Sequence, residues 1–283
     1  MSAATTRPVT LGVRRGGIEL RQILTYWPDM FQNLFFPVIS ILVLFLMRGH
    51  HVPGTTFSLG SLTLPSAIGM GFAMGGMLGV TGLISVDRED GTLLRAKATP
   101  GGMTAYVVSK LVYVSATQAV FLVITLVLGL IAFPGVHVTA GGLATLVWVT
   151  IGGLLATIPI GVGLGSLLPN PRFIPLILFP LGGVIAISGI FYPITHLPGW
   201  LQAIGQIFPV YWLGLGMRAA LLPGFMKAVE LNGSWRLPYV LLVLALWSAL
   251  GLAAAPPLLR RMARRESGSK VAARRERAML RAT

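Results

Sequence analysis

The sequence predicts an all-α membrane protein with six transmembrane helices, an N-terminal interfacial helix and external re-entrant helices before the last span. Hydrophobic residues make up 54% of the 283 residues and charged residues 11%, whereas about 25% of the residues of a soluble domain are charged. A soluble fold with this composition could not cover its apolar surface. The chain also contains six apolar runs, each close to the ~20 residues that cross a bilayer as a helix.

The composition excludes several other classes of protein. Disordered chains are poor in apolar residues, and the 35 glycines do not follow the G-X-Y repeat of collagen. The absence of cysteine excludes disulfides, thiol catalysis and cysteine-ligated metal sites. The apolar runs also lack a cluster of catalytic or metal-ligating side chains. We therefore expect neither an enzyme nor a chain that holds its own cofactor or metal.

The six predicted spans contain no Asp, Glu, Lys, Arg or His. They are Met30–Met47, Leu62–Val86, Leu111–Ala132, Gly142–Leu168, Phe173–Tyr192 and Leu237–Pro257. Runs of this length are helices, because the strands of a membrane barrel are alternating segments of about ten residues. The chain is thus divided into an N-terminal segment, 1–29, a transmembrane domain, 30–257, and a basic tail, 258–283. Since residues 1–29 lack the apolar core of a signal peptide, the first span is expected to be an uncleaved anchor.

The basic residues predict the orientation of the spans. Of the 22 basic residues, 18 fall on the side of the N-terminus and four on the other side, which places both termini in the cytoplasm. Nine of them lie in the tail, whose expected partner is the anionic inner leaflet, at about 1 kcal/mol per base. Nucleic acid is not an expected partner, because no aromatic residues alternate with these bases. The excess of arginine over lysine favours a bacterial plasma membrane.

An amphipathic stretch precedes the first span. Residues 11–27 can place five apolar side chains on one side and charged or polar side chains on the other. We interpret the stretch as a helix in the inner-leaflet interface, with a helix facing solution as the alternative. The apolar side comprises Ile18, Leu20, Ile23, Leu24 and Trp27, and the polar side comprises Arg14, Arg15, Glu19, Arg21 and Gln22.

The longest internal cytoplasmic loop is residues 87–104, where acids and bases alternate and Pro100 with two glycines ends any helix. A short polar helix followed by a turn is predicted. Two interpretations stay open, a docking surface for a cytosolic partner and a plain solvated loop; metal binding is poorly supported without a nearby histidine. The candidate docking residues are Asp87, Arg88, Glu89, Asp90, Gly91, Thr92, Arg95 and Pro100.

The largest external segment, residues 193–235, is too apolar for a free loop and too interrupted by proline for a span. Re-entrant or interfacial half-helices are predicted, and a seventh span is the alternative. The residues that carry this prediction are Pro193, Pro198, Trp200, Pro209, Tyr211 and Arg218.

Glycines at four-residue spacing mark the second and fourth spans. Such spacing lets helices approach closely, so the pattern indicates helix packing or, alternatively, a sliding interface. The glycines are Gly71, Gly75 and Gly79 in one span and Gly161 and Gly165 in the other.

The spans offer no ionisable group at depth, which argues against an ion-coupled carrier. The chain also lacks the GxxxxGK[ST] phosphate loop, so it does not bind ATP by that device. A hydrophobic permease-like bundle without an energy source of its own is the interpretation that follows. An ATP-independent channel or carrier and a membrane scaffold protein are the alternatives.

Three segments resemble the ABC-2 type permeases, the membrane subunits of type-2 ABC exporters. Residues 87–100, DREDGTLLRAKATP, resemble the family's E-R-E-x-G-T-L-x-R-L-x-x-T-P stretch. Residues 187–201, ISGIFYPITHLPGWL, resemble its S-G-x-F-x-P-x-x-x-L-P segment, and Phe208 to Arg218 resemble its N-P-x-x-Y-x-x-x-x-x-R ending. Asp87 and Phe208 replace the commoner Glu and Asn.

The resemblance implies a half-transporter that pairs with a second permease, either an identical or a sister chain. A separate subunit would bind ATP and Mg²⁺ and dock on the coupling helix in residues 87–104, clasped by the N-terminal amphipathic helix. Residues 197–225 would close the external side. The implied activity is export of a drug, lipid, glycan-lipid or other hydrophobic compound, with the bacterial drug-resistance type as the nearest match.

Overall fold

The computed structural model describes residues 3–51, 57–168 and 171–265, and these residues are almost entirely helical. Within them, short 3₁₀ turns, a π-helical segment and a single bridge between His51 and Ser58 are the other regular structure. The helices are α1 (Ala3–Thr25), α2 (Trp27–Leu46), α3 (Leu59–Met74), α4 (Val80–Glu89), α5 (Thr92–Lys97), α6 (Gly102–Ala132), α7 (Ala140–Leu167), α8 (Ile174–Ala186), α9 (Gly199–Ile207), α10 (Pro209–Leu221) and α11 (Leu237–Arg265).

Four helices in the described part of the chain are long and apolar enough to cross a membrane. They are Leu59–Glu89, Gly102–Ala132, Ala140–Leu167 and Leu237–Arg264, and they correspond to the second, third, fourth and sixth predicted spans. The all-helical membrane class therefore agrees with the structure.

The first predicted span lies mostly in α2, Trp27–Leu46, whose apolar C-terminal part continues to Gly49, and the fifth corresponds to a shorter apolar helix, Ile174–Ala186. A helix of 13 residues, such as α8, rises about 20 Å, which is less than the ~30 Å of a hydrocarbon core. The chain leaves the helix at Ile187 and turns at Gly189, whose φ is +60°. The count of six spans accordingly stays a prediction.

The second predicted span is one continuous helix with a π-helical segment in its middle, Gly75–Gly79, between α3 and α4. A π segment widens the helix by one residue and often marks a functional position. Helix α7 packs against this segment. The hydroxyl of Thr81 hydrogen-bonds to the Met77 carbonyl of its own helix (2.6 Å) and to the Gly161 carbonyl of α7 (3.1 Å). The widened turn is thus tied to the neighbouring helix.

Helix α10 forms the centre of the bundle, and almost every one of its residues is buried. It packs between α3 and α7, and a Cβ at Gly69 would lie 2.8 Å from the backbone of Leu213 and Gly214. Extended backbone at Phe208, with φ −90° and ψ 149°, separates α10 from α9. Residues 193–235 therefore form short separate helices, as predicted, and the alternative of a continuous seventh span is not observed.

The remaining helices pack around this centre in pairs. Helix α11 lies along α7, and α1 lies along α6. Apolar side chains of α2, α8 and α11 point away from the bundle; Phe179 of α8 is 87% exposed. Large exposed apolar surfaces of this kind are typical of contacts with lipid or with another chain, because their exposure to water is unfavourable.

The close approach of α7 to the π segment predicts an asymmetric response to glycine substitution. A Cβ at Gly161 would collide with the Gly76 carbonyl and lie 2.7 Å from that of Met77, whereas nothing lies within 4 Å of a Cβ at Gly82. We expect Gly161→Ala to destabilise the protein by about 1–3 kcal/mol, measured by thermal unfolding in detergent. Gly82→Ala is the control and should leave stability unchanged or slightly raised; equal losses for both variants would contradict this packing.

Candidate functional site

The loop between α4 and α6 is a compact, anchored helix rather than a free polar segment. Gly91, with φ +79°, turns the chain from α4 into α5, a conformation that glycine adopts without strain. The Asp90 carboxylate accepts a 2.7 Å hydrogen bond from the Thr92 amide and so satisfies the first amide of α5. Leu93, which is 1% exposed, and Ala96 are buried in the bundle. Helix α5 is therefore held in place by its apolar face.

Buried and half-buried charges tie this loop to two neighbouring helices. The Lys110 ammonium lies 3.1 Å from Asp87 and 3.3 Å from Glu19, and Glu19 also pairs with Arg15 at 3.1 Å. The Tyr106 hydroxyl donates a 2.9 Å hydrogen bond to Asp87. Asp87, Lys110 and Glu19 are largely shielded from water. An unpaired charge in such a position would be strongly destabilising. The network fixes α1, α4 and α6 relative to one another.

A further hydrogen bond connects the loop to the opposite side of the bundle. Arg88 donates to the backbone carbonyl of Leu168, the residue that follows α7. This hydrogen bond places the end of α7 beside the end of α4.

The outer side of the loop carries exposed charge. Glu89, Asp90, Arg95 and Pro100 are exposed, while the Arg95 guanidinium stays close to α5 through a 2.9 Å hydrogen bond to the Thr92 hydroxyl. Of the eight predicted docking residues, Glu89, Asp90, Arg95 and Pro100 thus lie on the surface. Asp87, Gly91 and Thr92 are buried, and Arg88 is half-buried.

A crevice of about 400 Å³ separates α1 from this loop. Its walls include Pro8 and Leu11 of α1, and Arg95, Thr99 and Pro100 of the loop. Apolar and basic groups therefore line a cleft at the same end as the exposed face of α5. A protein element with an acidic and an apolar side would complement it.

Helix α1 packs through glycine rather than through its predicted apolar side. Cβ atoms at Gly12 and Gly16 would lie 2.7–2.8 Å from the carbonyls of Ala105 and Ser109 on α6. Ile18 is 62% exposed and Trp27, which begins α2, is 66% exposed; an outward apolar side is what an interfacial helix requires.

The other residues predicted for this helix divide between surface and undescribed positions. Arg14, Arg15 and Arg21 are exposed, and Glu19 and Leu20 are half-buried. The side chains of Ile23 and Leu24 are outside the part of the chain whose side chains the structure describes.

The predicted packing glycines have unequal surroundings. Cβ atoms at Gly71 and Gly75 would collide with the side chains of Phe121 and Gln118 on α6, and Gly161 and Gly165 lie against the π segment and α4. Gly79 has nothing within 4 Å of its Cβ position. Four of the five glycines, Gly71, Gly75, Gly161 and Gly165, therefore lie at contacts between helices, and Gly79 does not.

At the other end of the bundle, a buried ion pair joins four segments. Arg218 of α10, 2% exposed, holds Glu230, 5% exposed, through two hydrogen bonds of 2.6 and 3.2 Å. The same guanidinium donates to the Ser66 hydroxyl on α3 at 2.7 Å and to the Gly189 carbonyl at 3.3 Å. A planar guanidinium can satisfy several acceptors at once. We call these residues the external cluster.

The other predicted external residues frame this cluster. Pro193 and Pro198 flank the turn Ile194–His196, and Pro209 begins α10. Tyr211 is fully buried, with its ring 5.0 Å from that of Trp212, whereas Trp200 is 66% exposed. The prolines therefore set the breaks between the short helices, while Tyr211 belongs to the core.

Sequence reasoning missed Lys110, Tyr106, Glu230 and Ser66 as members of these clusters. Lys110 offered a signal, because it is a lone base just before an apolar span and Tyr106 lies one helical turn earlier. Glu230 offered a weaker one, as the sole acid of the external segment. Ser66 offered none, since serine is common in membrane helices.

Fold and clusters together define a multi-pass helical membrane protein, with a structured polar surface at one end and a buried ion pair at the other. The model of the ABC-2 family transporter proteins matches residues 50–255, and the chain belongs to this family. The match includes all three segments that resemble the ABC-2 type permeases, and it makes the chain a membrane transport component rather than a catalytic subunit. No curated protein matches the chain.

The external cluster predicts a large and specific loss of stability when one partner is removed. Arg218→Met should destabilise the protein by about 3–5 kcal/mol, because Glu230 would be left buried and unpaired. Replacing both partners, Arg218→Met with Glu230→Leu, should cost less than the single change. Unfolding in detergent measures each variant, with Lys227→Met on the exposed surface as the control. Glu230→Leu alone is measured as well, and a double variant whose loss equals or exceeds the sum of the two single losses would contradict the pairing.

Proposed function

We propose that the protein is the permease subunit of an ATP-driven exporter that moves a hydrophobic or amphipathic compound out of the cytoplasm or the inner leaflet. A drug, a lipid or a glycan-lipid would fit this description, and efflux of the drug-resistance type is the nearest match. The observation that supports this proposal most directly is the anchored helix α5. It lies in a chain of the ABC-2 family and presents exposed charge at the predicted cytoplasmic end.

The energy would come from a separate ATP-binding subunit carrying ATP and Mg²⁺. ABC-2 permeases generally partner with such a subunit. Helix α5 and the neighbouring crevice would form its docking surface, where mixed charge orients a partner more than it adds affinity. Since Lys110 ties Asp87 and Glu19 together, a push on α5 would move α1, α4 and α6 as a unit.

Two permeases would assemble around the transport pathway, as either identical or sister chains. The exposed apolar side chains of α2 and α8, including Phe31, Phe35, Leu176 and Phe179, supply area for that contact and for lipid. We place the complex in a bacterial plasma membrane with both termini in the cytoplasm. Attraction between the basic tail and anionic lipids would support this orientation.

Co-purification tests the proposed partnership directly. The full chain, tagged and expressed in its own host, should retain a subunit that carries a phosphate-loop motif and hydrolyses MgATP, identified by mass spectrometry. Isolation of an active, transporting protein without any such subunit would overturn the proposal and favour a channel or carrier.

The exposed charge at the α4–α5 turn predicts how docking fails. Glu89→Lys, at the end of α4, should lower transport in reconstituted vesicles by about tenfold relative to ATP hydrolysis, because a reversed charge that disfavours the docked orientation by about 1.4 kcal/mol gives this factor. Lys227→Glu, a reversal of another exposed charge at the other end, is the matched control and should transport normally. Unchanged transport by Glu89→Lys would remove the α4–α5 turn from the docking surface.

A further inference from the structure

A groove of about 520 Å³ runs between α6, α7 and α11 near the predicted cytoplasmic end. Its walls are apolar and include Val107, Leu111, Val162, Leu252, Ala255 and Leu259. The groove shares no wall residue with the crevice beside α1 or with the external cluster, although Lys97 of α5 lies at one end of it. Leu252 is also 53% exposed and continues the outward apolar surface of α11, so the groove opens toward the surrounding lipid.

Basic residues line one end of the groove. They are Lys97 at the end of α5 and Arg260 and Arg264 of α11, all exposed. In the part of the chain that the structure describes, none of the three has an ion-pair or hydrogen-bond partner. Three like charges around one opening repel one another, and an anion placed between them would relieve that repulsion.

The groove and its basic end together span about one leaflet of a bilayer. The apolar wall from Leu252 to Leu259 rises about 10 Å along α11, and Arg264 lies about 18 Å from Leu252, where half of a hydrocarbon core is about 15 Å. An apolar groove that ends at bases is complementary to an acyl chain that ends in an anionic headgroup. The groove's volume of about 520 Å³ lies within the range of about 300–1,000 Å³ for small-ligand pockets.

We infer that this groove binds one anionic phospholipid of the cytoplasmic leaflet. The acyl chain lies between α6, α7 and α11, and the phosphate pairs with Lys97, Arg260 and Arg264. Because Lys97 belongs to α5 and the two arginines to α11, the lipid links the anchored loop to the last span. The inference does not depend on the proposed export function.

Lipid titration of the full-length protein in detergent tests the site, with binding read by native mass spectrometry. Phosphatidylglycerol should bind more tightly than phosphatidylcholine with the same acyl chains. The triple variant Lys97→Gln, Arg260→Gln, Arg264→Gln should weaken phosphatidylglycerol binding by about a hundredfold, at roughly fivefold per base, and leave phosphatidylcholine binding unchanged.

A matched triple variant separates the groove from general attraction. Arg7→Gln, Arg14→Gln, Arg21→Gln removes the same charge from exposed positions of α1 that do not line the groove. It should retain phosphatidylglycerol affinity within about threefold, since screening weakens distant charges. An equal loss in both triple variants, or equal affinity for the two lipids, would overturn the site.

Photolabelling locates the lipid without relying on a variant that could misfold. Phosphatidylglycerol with a diazirine in its acyl chain should label peptides of α6, α7 and α11 in the wild-type protein. Unlabelled phosphatidylglycerol should compete for this labelling, and inorganic phosphate should not. Labelling confined to other helices, or competition by phosphate alone, would overturn the proposal; the latter would indicate an anion site without an acyl chain.

Discussion

The low dielectric of hydrocarbon is the constraint on which the rest of this structure depends. Charge is tolerated there only when it is paired and hydrogen-bonded, and among the residues that the structure describes the ion pairs form two clusters. Asp87, Lys110 and Glu19 form one cluster, and Arg218 with Glu230 forms the other. Between them, helices meet through glycine and small polar side chains, so that the backbone itself supplies the contact surface.

Glycine contacts give this bundle its geometry, because they set how near two helices can come. Gly69 brings α3 onto the backbone of α10, and Gly161 brings α7 onto the π segment. Thr81 then adds a hydrogen bond across the same contact. Such interfaces depend on shape more than on apolar area, since lipid competes for apolar contact as well as any side chain does. They admit few alternative registers.

The sequence predicts the long spans closely, because a charge-free apolar run of about 20 residues is typical of a helix that crosses a bilayer. The predicted span Gly142–Leu168 is observed as Ala140–Leu167. The fifth span ends early for a reason that hydropathy does not encode: Gly189 turns with positive φ and offers its carbonyl to Arg218. The π segment and the Arg218–Glu230 pair likewise depend on contacts between distant residues, which composition and periodicity do not register. The charged loop was predictable as a docking candidate, yet its attachment through Lys110 and Tyr106 was not.

The two charged clusters are linked by a single element. Asp87 and Ser66 lie on the same continuous helix, Leu59–Glu89, about 32 Å apart at 1.5 Å per residue, with the π segment between them. A displacement of α5 therefore reaches the external cluster either through rigid motion of this helix or through a change at the π segment. The π segment is the position at which such a change is expected, because π turns within α-helices are frequent at functional sites. Thr81 and Gly161 hold that turn against α7, so α7 would move with whichever state the helix adopts.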